Sequence, residues 1–355
     1  MNIDLYITFL HNYLNNNIKF DTKFVINDIN EIIPNSTTHL QFRDDFNQVL
    51  KKGIIPNSVI HLAFGDDFIQ ELTKGVIPNS VTHLTFGCCF NQLLKEGDIP
   101  NSVTHLTFGF HFNQVLKEGV IPNSVTHITF GSYFDQELTK GIIPKSVTYL
   151  IFGWHFNQEL TKGVIPNSVI HLKFGNHFNQ VLKEGIIPNS VTHLTFGDNF
   201  NQVLKERDIP NSVTHLTFGD NFNKVLKKGD LPNSIVYLRM GVYYNQILDC
   251  DILDNLFELI VNQRFSKLKI NKDIFIGFTG FTIFGSPYVY NTIKYKKYNI
   301  TISQHDYLLN MDIHSNKLIG KIIIKELVEK IFHPIRLHNI CKKYNIDFID
   351  LMDIY

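Results

Sequence analysis

The chain has 355 residues, and its 33 Lys and Arg are balanced by 33 Asp and Glu. A zero net charge leaves no electrostatic footprint for nucleic acid or for an anionic membrane surface. Hydrophobic residues make up 44% and 30 residues are Phe, so there is material for a large aromatic core.

No stretch approaches the roughly 18 apolar residues of a membrane span. Met1 to Leu10 carries Asp4 and lacks the basic flank and small-residue cleavage site of a signal peptide. The cysteines are Cys88, Cys89, Cys250 and Cys341, with no Cys-x-x-Cys pair and no regular spacing. These features predict a reducing, intracellular (cytoplasmic) protein that is not secreted.

The first expected element is a short helix over roughly Asp4 to Asn15. A decayed coil follows, because Ile18, Phe20 and Phe24 stand 22 residues ahead of Leu40, Phe42 and Phe46. Residues 1–32 therefore read as an N-terminal cap over an apolar coil face.

Residues 33–248 repeat one phrase ten times without insertion or deletion. Its first residue is Ile33, Ile55, Ile77, Ile99, Ile121, Ile143, Ile165, Ile187, Ile209 and Leu231, always 22 residues on. A strict period of this kind is the mark of a solenoid, in which each repeat is one coil and stacked coils share a core. In the coil from Ile187, Thr192 to Phe196 is rich in β-branched and aromatic residues and alternates from His193 onward. That predicts a short strand with Leu194 and Phe196 inward and His193 and Thr195 outward. Gly197 ends the strand. Phe200 and Leu204, four apart, fit a helical or irregular turn that carries both inward. Pro188 prevents a helix from running into the next coil. The fold class is an α/β-type solenoid with one parallel strand per coil.

The spacing L-x-x-L-x-L, with Phe in the third apolar slot, resembles a leucine-rich repeat. The phrase is more closely similar to the FNIP (IP22) repeat family, whose motif is Phe-Asn followed by Ile-Pro. It stands here as Phe90-Asn91 with Ile99-Pro100, Phe112-Asn113 with Ile121-Pro122, Phe178-Asn179 with Ile187-Pro188, and Phe200-Asn201 with Ile209-Pro210. Departures are Ile69 and Asp135 for the Asn, Lys145 for the Asn after Pro, Leu231 for the Ile and Tyr244 for the Phe. The resemblance implies a leucine-rich-repeat-like arc used for protein contacts, of a kind found in social amoebae and in giant DNA viruses of amoebae. Some family members carry an F-box before the repeats. No segment of that length precedes them here, so a ubiquitin-ligase role is not part of the reading.

Residues 249–355 change composition and predict a small α+β domain or cap. Asp251 to Val261 has helical apolar spacing, Leu268 to Ser303 is strand-like, and Ile319 to Ile331 and Arg336 to Tyr344 read as helices, the first stopped by Pro334.

Three sets of residues are candidates for function. The first is a column on the outer strand face: His39, His61, His83, His105, His127, Tyr149, His171, His193, His215 and Tyr237. Coils stack about 4.8 Å apart, so these rings should form an aromatic ladder whose mutual repulsion lowers their pKa values. A metal site needs several ligands converging on one point. A straight column broken by Tyr149 does not supply that, so no metal and no cofactor is expected. The second set is the two Asn columns, after Pro (Asn101, Asn123, Asn167, Asn189) and after Phe (Asn91, Asn113, Asn157, Asn179), at least one of which should form a hydrogen-bonded ladder. The third is the pair of slots after the strand Gly, where the coils differ most. Phe110, Tyr133 and Trp154, the one Trp, stand there in successive coils.

Neither a phosphate loop nor a Gly-x-Ser-x-Gly nor a His-Glu-x-x-His motif occurs. His305, Asp306, His314, His333 and Cys341 are scattered without ligand spacing. The reading is a non-catalytic, monomeric scaffold for a protein partner, contacted through His105, Phe110, His127, Tyr133, Tyr149 and Trp154. The alternative is an enzyme or enzyme subunit with its site in residues 249–355.

Overall fold

The structure is a computed structural model, and it describes residues 23–249, 255–256, 258–262, 268–269, 274–280, 288–295, 298–305 and 308–313. The chain divides into two compact units, residues 1–200 and 201–355.

The first unit holds strands β1 Lys23–Ile26, β2 His39–Phe42, β3 His61–Ala63, β4 His83–Thr85, β5 His105–Thr107, β6 His127–Thr129, β7 Tyr149–Ile151, β8 His171–Lys173 and β9 His193–Thr195. Each pairs in parallel with the next. From β2 onward the register sets equivalent coil positions opposite one another, as His61↔His83 and Leu62↔Leu84. The inner face is the expected one. Leu150 and Phe156 are fully buried, Phe130 is 3% exposed, and from β2 onward the column His or Tyr at the head of each strand is half-buried. The two Phe of each coil stack along the core: Phe130 lies 4.3 Å from Phe134 in its own coil and 5.9 Å from Phe152 in the next.

The strand Gly is required by how closely the coils approach. A Cβ built on Gly131 would fall onto the carbonyl oxygen of Gly109, and one on Gly153 onto that of Gly131. Backbone sits in the space that any other residue needs for its side chain.

Three expectations are corrected. First, no helix is present among the described residues, so the α half of the α/β label does not hold for the coils. After the strand the chain turns and then runs irregularly, with Phe112 and Leu116 both buried. Its amides are engaged by the preceding coil, as Asn113 N–H is by Asn91 Oδ1, so the i to i−4 bonds of a helix do not form. Second, the N-terminal coil is not offset by 22 residues. Phe24 pairs with Leu40 and Ile26 with Phe42, so Phe24 and Ile26 take the Leu-x-Phe places and Ile26 is fully buried. Ile18, Phe20 and the helix over Asp4 to Asn15 lie outside the described residues. Third, of the helix expected over Asp251 to Val261, Glu258 to Val261 form a strand in the second unit, while residues 251–254 and 257 lie outside the described residues.

That unit holds β10 His215–Thr217, β11 Tyr237–Arg239, β12 Leu248–Asp249, β13 Glu258–Asn262, β14 Leu268–Lys269, β15 Ile274–Gly280, β16 Tyr288–Tyr295, β17 Tyr298–His305 and β18 Leu308–Ile313. Strands β10, β11, β13 and β15 pair in parallel. Strands β15 to β18 continue antiparallel, and β12 pairs with β14 in parallel. Leu256 and Leu259 repeat the coil's Val-x-x-Leu spacing and are buried at 4% and 0% exposure, which explains the strand. Strands β14 to β17 occupy the stretch expected to be strand-like. The helices expected over 319–331 and 336–344 lie outside the described residues.

Candidate interaction surface

The histidine column is a ring stack. His39 and His61 have centroids 4.1 Å apart with planes at 8°, and His61–His83, His83–His105 and His105–His127 follow at 4.1, 4.2 and 4.1 Å. Tyr149 continues it, 5.5 Å from His127 and 5.5 Å from His171. Where a Thr precedes the His, it fixes the ring; His61 and His171 instead follow Ile60 and Ile170. Thr104 Oγ1 lies 2.9 Å from His105 Nδ1, and Thr126 Oγ1 lies 2.9 Å from His127 Nδ1. Those hydroxyls donate to Thr82 O at 3.1 Å and to Thr104 O at 3.2 Å. A hydroxyl has one proton, so each Thr oxygen accepts from Nδ1–H, and Nε2 remains a lone-pair acceptor.

Burial lowers the pKa of His83 to about 4, and the charges of His61, His127 and His39 push in the same direction. His105 and His127 are lowered too, by burial first and by neighbouring imidazoles second, and His215 by burial. The expected direction is found, but its main cause is loss of hydration in the packed stack rather than mutual repulsion.

The Asn after Phe is the ladder. Its Oδ1 accepts the backbone N–H of the same position one coil on. Asn91 takes Asn113 at 2.9 Å, Asn113 takes Asp135 at 2.9 Å, and Asp135 takes Asn157 at 2.8 Å. Asp135 keeps the ladder because a carboxylate oxygen accepts as an amide oxygen does. Ile69 N–H donates to Asn47 Oδ1, but Ile69 has no side-chain oxygen to accept from the next coil. The Asn after Pro, in contrast, is exposed. At that corner the next residue links the coils, as Ser124 Oγ donates to Val103 O at 2.7 Å.

The slots after the strand Gly carry the exposed aromatics. Phe110, Tyr133 and Trp154 are 47%, 43% and 51% exposed, a large fraction for side chains of this size. The backbone of these turns is locked coil to coil: Tyr133 N–H donates to Phe110 O, and His155 N–H to Ser132 O. Phe110 meets Tyr133 edge-on at 5.2 Å. Trp154 does not touch either in that way; its ring partner is His177, at 6.4 Å. The reading of single residues missed a second ring stack in the same turns. His111 stacks on Tyr133 at 5.1 Å, Tyr133 on His155 at 4.5 Å, and His155 meets His177 at 4.5 Å. The signal was present, since these four occupy one slot at a spacing of 22. His105, His127 and Tyr149 lie on the strand face, a few residues before these turns in the same coils.

Comparison with known proteins turns on the repeat. The FNIP Repeat family model matches residues 27–56, 46–89, 90–133, 134–177, 178–221, 200–243 and 222–263. The chain belongs to the FNIP repeat family. The chain is similar to CroV588, a giant-virus protein whose crystal structure is described as a novel circular LRR protein structure. The identity is 45% and the TM-score 0.66, over 70% of this chain and 37% of that one. This chain thus spans well under half the length of that relative. No curated protein matches it. Among the described residues, no helix is long and apolar enough to cross a membrane.

Proposed function

We propose that this FNIP repeat chain is a non-catalytic interaction scaffold, acting as a monomer inside the cell, whose partner is a protein. The partner contacts the strand face and the adjoining turns of the coils that carry His105, Phe110, His127, Tyr133, Tyr149 and Trp154. One observation carries this reading: three large aromatic side chains stand exposed in successive coils, while the core behind them is nearly invariant from coil to coil. Solenoids bind by spreading contacts over many repeats, and exposed aromatics on a rigid frame are the usual anchors of such contacts. The free thiols of Cys88 and Cys89 suit a reducing compartment.

The test is capture of partners from the native cell by the wild-type chain and by the Trp154→Ala/Tyr133→Ala double variant. Affinity for each captured protein is then measured with purified components. Each substitution is expected to weaken binding by about 1 kcal/mol or more without altering the fold, and the same change at His39 or His215 by less. Full retention of every partner by the double variant refutes the reading, and loss of those partners on removing residues 249–355 would then move recognition to that segment.

A further inference from the structure

His155 and His177 occupy the second turn slot of successive coils, and the interaction surface proposed above does not use them. Their Nδ1 atoms are 3.2 Å apart, with ring centroids at 4.5 Å and planes at 86°. The backbone fixes this spacing, since His155 N–H donates to Ser132 O at 2.8 Å and His177 N–H to Trp154 O at 2.9 Å. Tyr133 stacks on His155, and both imidazoles are half-buried.

Two imidazole lone pairs facing each other at this distance repel unless a positive charge lies between them. One occupant is a proton, with one Nδ1–H donating to the other Nδ1. The other is a divalent ion. With metal–nitrogen bonds of about 2.0–2.1 Å and a tetrahedral angle, two ligating nitrogens stand about 3.3–3.4 Å apart. The observed separation is close to that bite, and small rotations of the two rings would aim both nitrogens at a shared point. The strand-face column offers no such geometry. The rings of His83 and His105 there are nearly parallel, at 11°, and their Nδ1 atoms are engaged by the hydroxyls of Thr82 and Thr104.

We propose that His155 and His177 form a two-imidazole chelate for a late first-row divalent ion such as Cu²⁺, Ni²⁺ or Zn²⁺, for which imidazole is a suitable ligand. Among the described residues no group of three or more His, Cys, Asp or Glu could hold a metal. The protein therefore supplies two ligands and water completes the shell, so binding is far weaker than at a closed structural site. The site does not depend on a protein partner, and either reading can fail alone.

Trp154 is the only tryptophan of the chain and its ring lies 6.4 Å from that of His177, so its fluorescence reports on this site. Titration of the full-length protein with Cu²⁺ should quench that emission saturably, and EDTA should restore it. His155→Gln and His177→Gln should each raise the quenching midpoint at least about tenfold, while His83→Gln should leave it unchanged. Circular dichroism of the metal-free proteins checks that the variants are folded. Electron paramagnetic resonance of the wild type at one equivalent of Cu²⁺ should show two nitrogen ligands, a readout that does not depend on any variant. Emission unaffected by Cu²⁺, quenching with the wild-type midpoint in both variants, or a signal without two nitrogens would overturn the proposal.

Discussion

Acid should destabilise the first unit through its histidine column. The perturbation is protonation of rings whose charge the stack disfavours. The folded pKa of His83 is lowered to about 4, by burial first and then by His61, His127 and His39, against about 6.5 for an unfolded imidazole. Above about pH 6.5 the ring is neutral in both states, and the folded state bears no penalty. As pH falls from there towards about 4, the unfolded chain takes up the proton first, and stability is lost across that window. A shift of roughly 2.5 units at about 1.4 kcal/mol per unit sets a ceiling near ~3.4 kcal/mol for His83. The ring is only half-buried, so solvent screening reduces this to about 1–2 kcal/mol. His105 and His127 are lowered in the same direction and add to the effect. The assay is urea unfolding near pH 7.5 and near pH 5, for the wild type and for His83→Gln. The wild-type midpoint should drop at the lower pH, and the variant's should drop less. Equal wild-type midpoints, or an acid loss unchanged in the variant, would refute the reasoning.

Two further substitutions probe the coil itself. Phe134 is fully buried and stacked between Phe112 and Phe156 at 6.2 and 6.3 Å; Phe134→Ala should cost about 3–5 kcal/mol, measured by urea unfolding. Arg207 has φ 73°, where eight other coils place a Gly with positive φ. Arg207→Gly should relieve about 1–2 kcal/mol of left-handed strain and lose about 0.5–1 kcal/mol to the freer unfolded chain. The net expectation is a small rise in melting temperature, and a fall would show that contacts of the Arg side chain outweigh the strain.

Much of this architecture could be read before any coordinate was seen, for a physical reason. A 22-residue period with alternation around His193, Leu194, Thr195 and Phe196 allows one strand per coil and one inner face, because side chains on a strand alternate. The structure places the His outside and both Phe inside accordingly. What spacing could not decide was how polar backbone groups are satisfied. Phe200 and Leu204 sit at helical spacing. Yet the Asn after Phe engages the next coil's amide, as Asn113 does for Asp135, and the segment stays irregular. Nothing in single-residue patterns separates that Asn from the Asn after Pro, since both recur at the same period. A fixed period does not extend past Ile33, because the chain shortens its coil there and Phe24 pairs with Leu40. Leu256 and Leu259 stand three apart, which fits a helix as well as it fits the coil. The candidate surface was legible only in part. Phe110, Tyr133 and Trp154 stood out as large residues at a variable turn. The run from His111 through Tyr133 and His155 to His177 emerges only when one slot is followed from coil to coil.

The most direct test of the central claim is hydrogen–deuterium exchange of the chain with and without a captured protein partner. The account predicts slowed exchange in the strands and turns around residues 105–111, 127–133 and 149–155, with the coils of His39 and His215 little changed. Slowed exchange confined to residues 249–355, with those three segments unaffected, would contradict it.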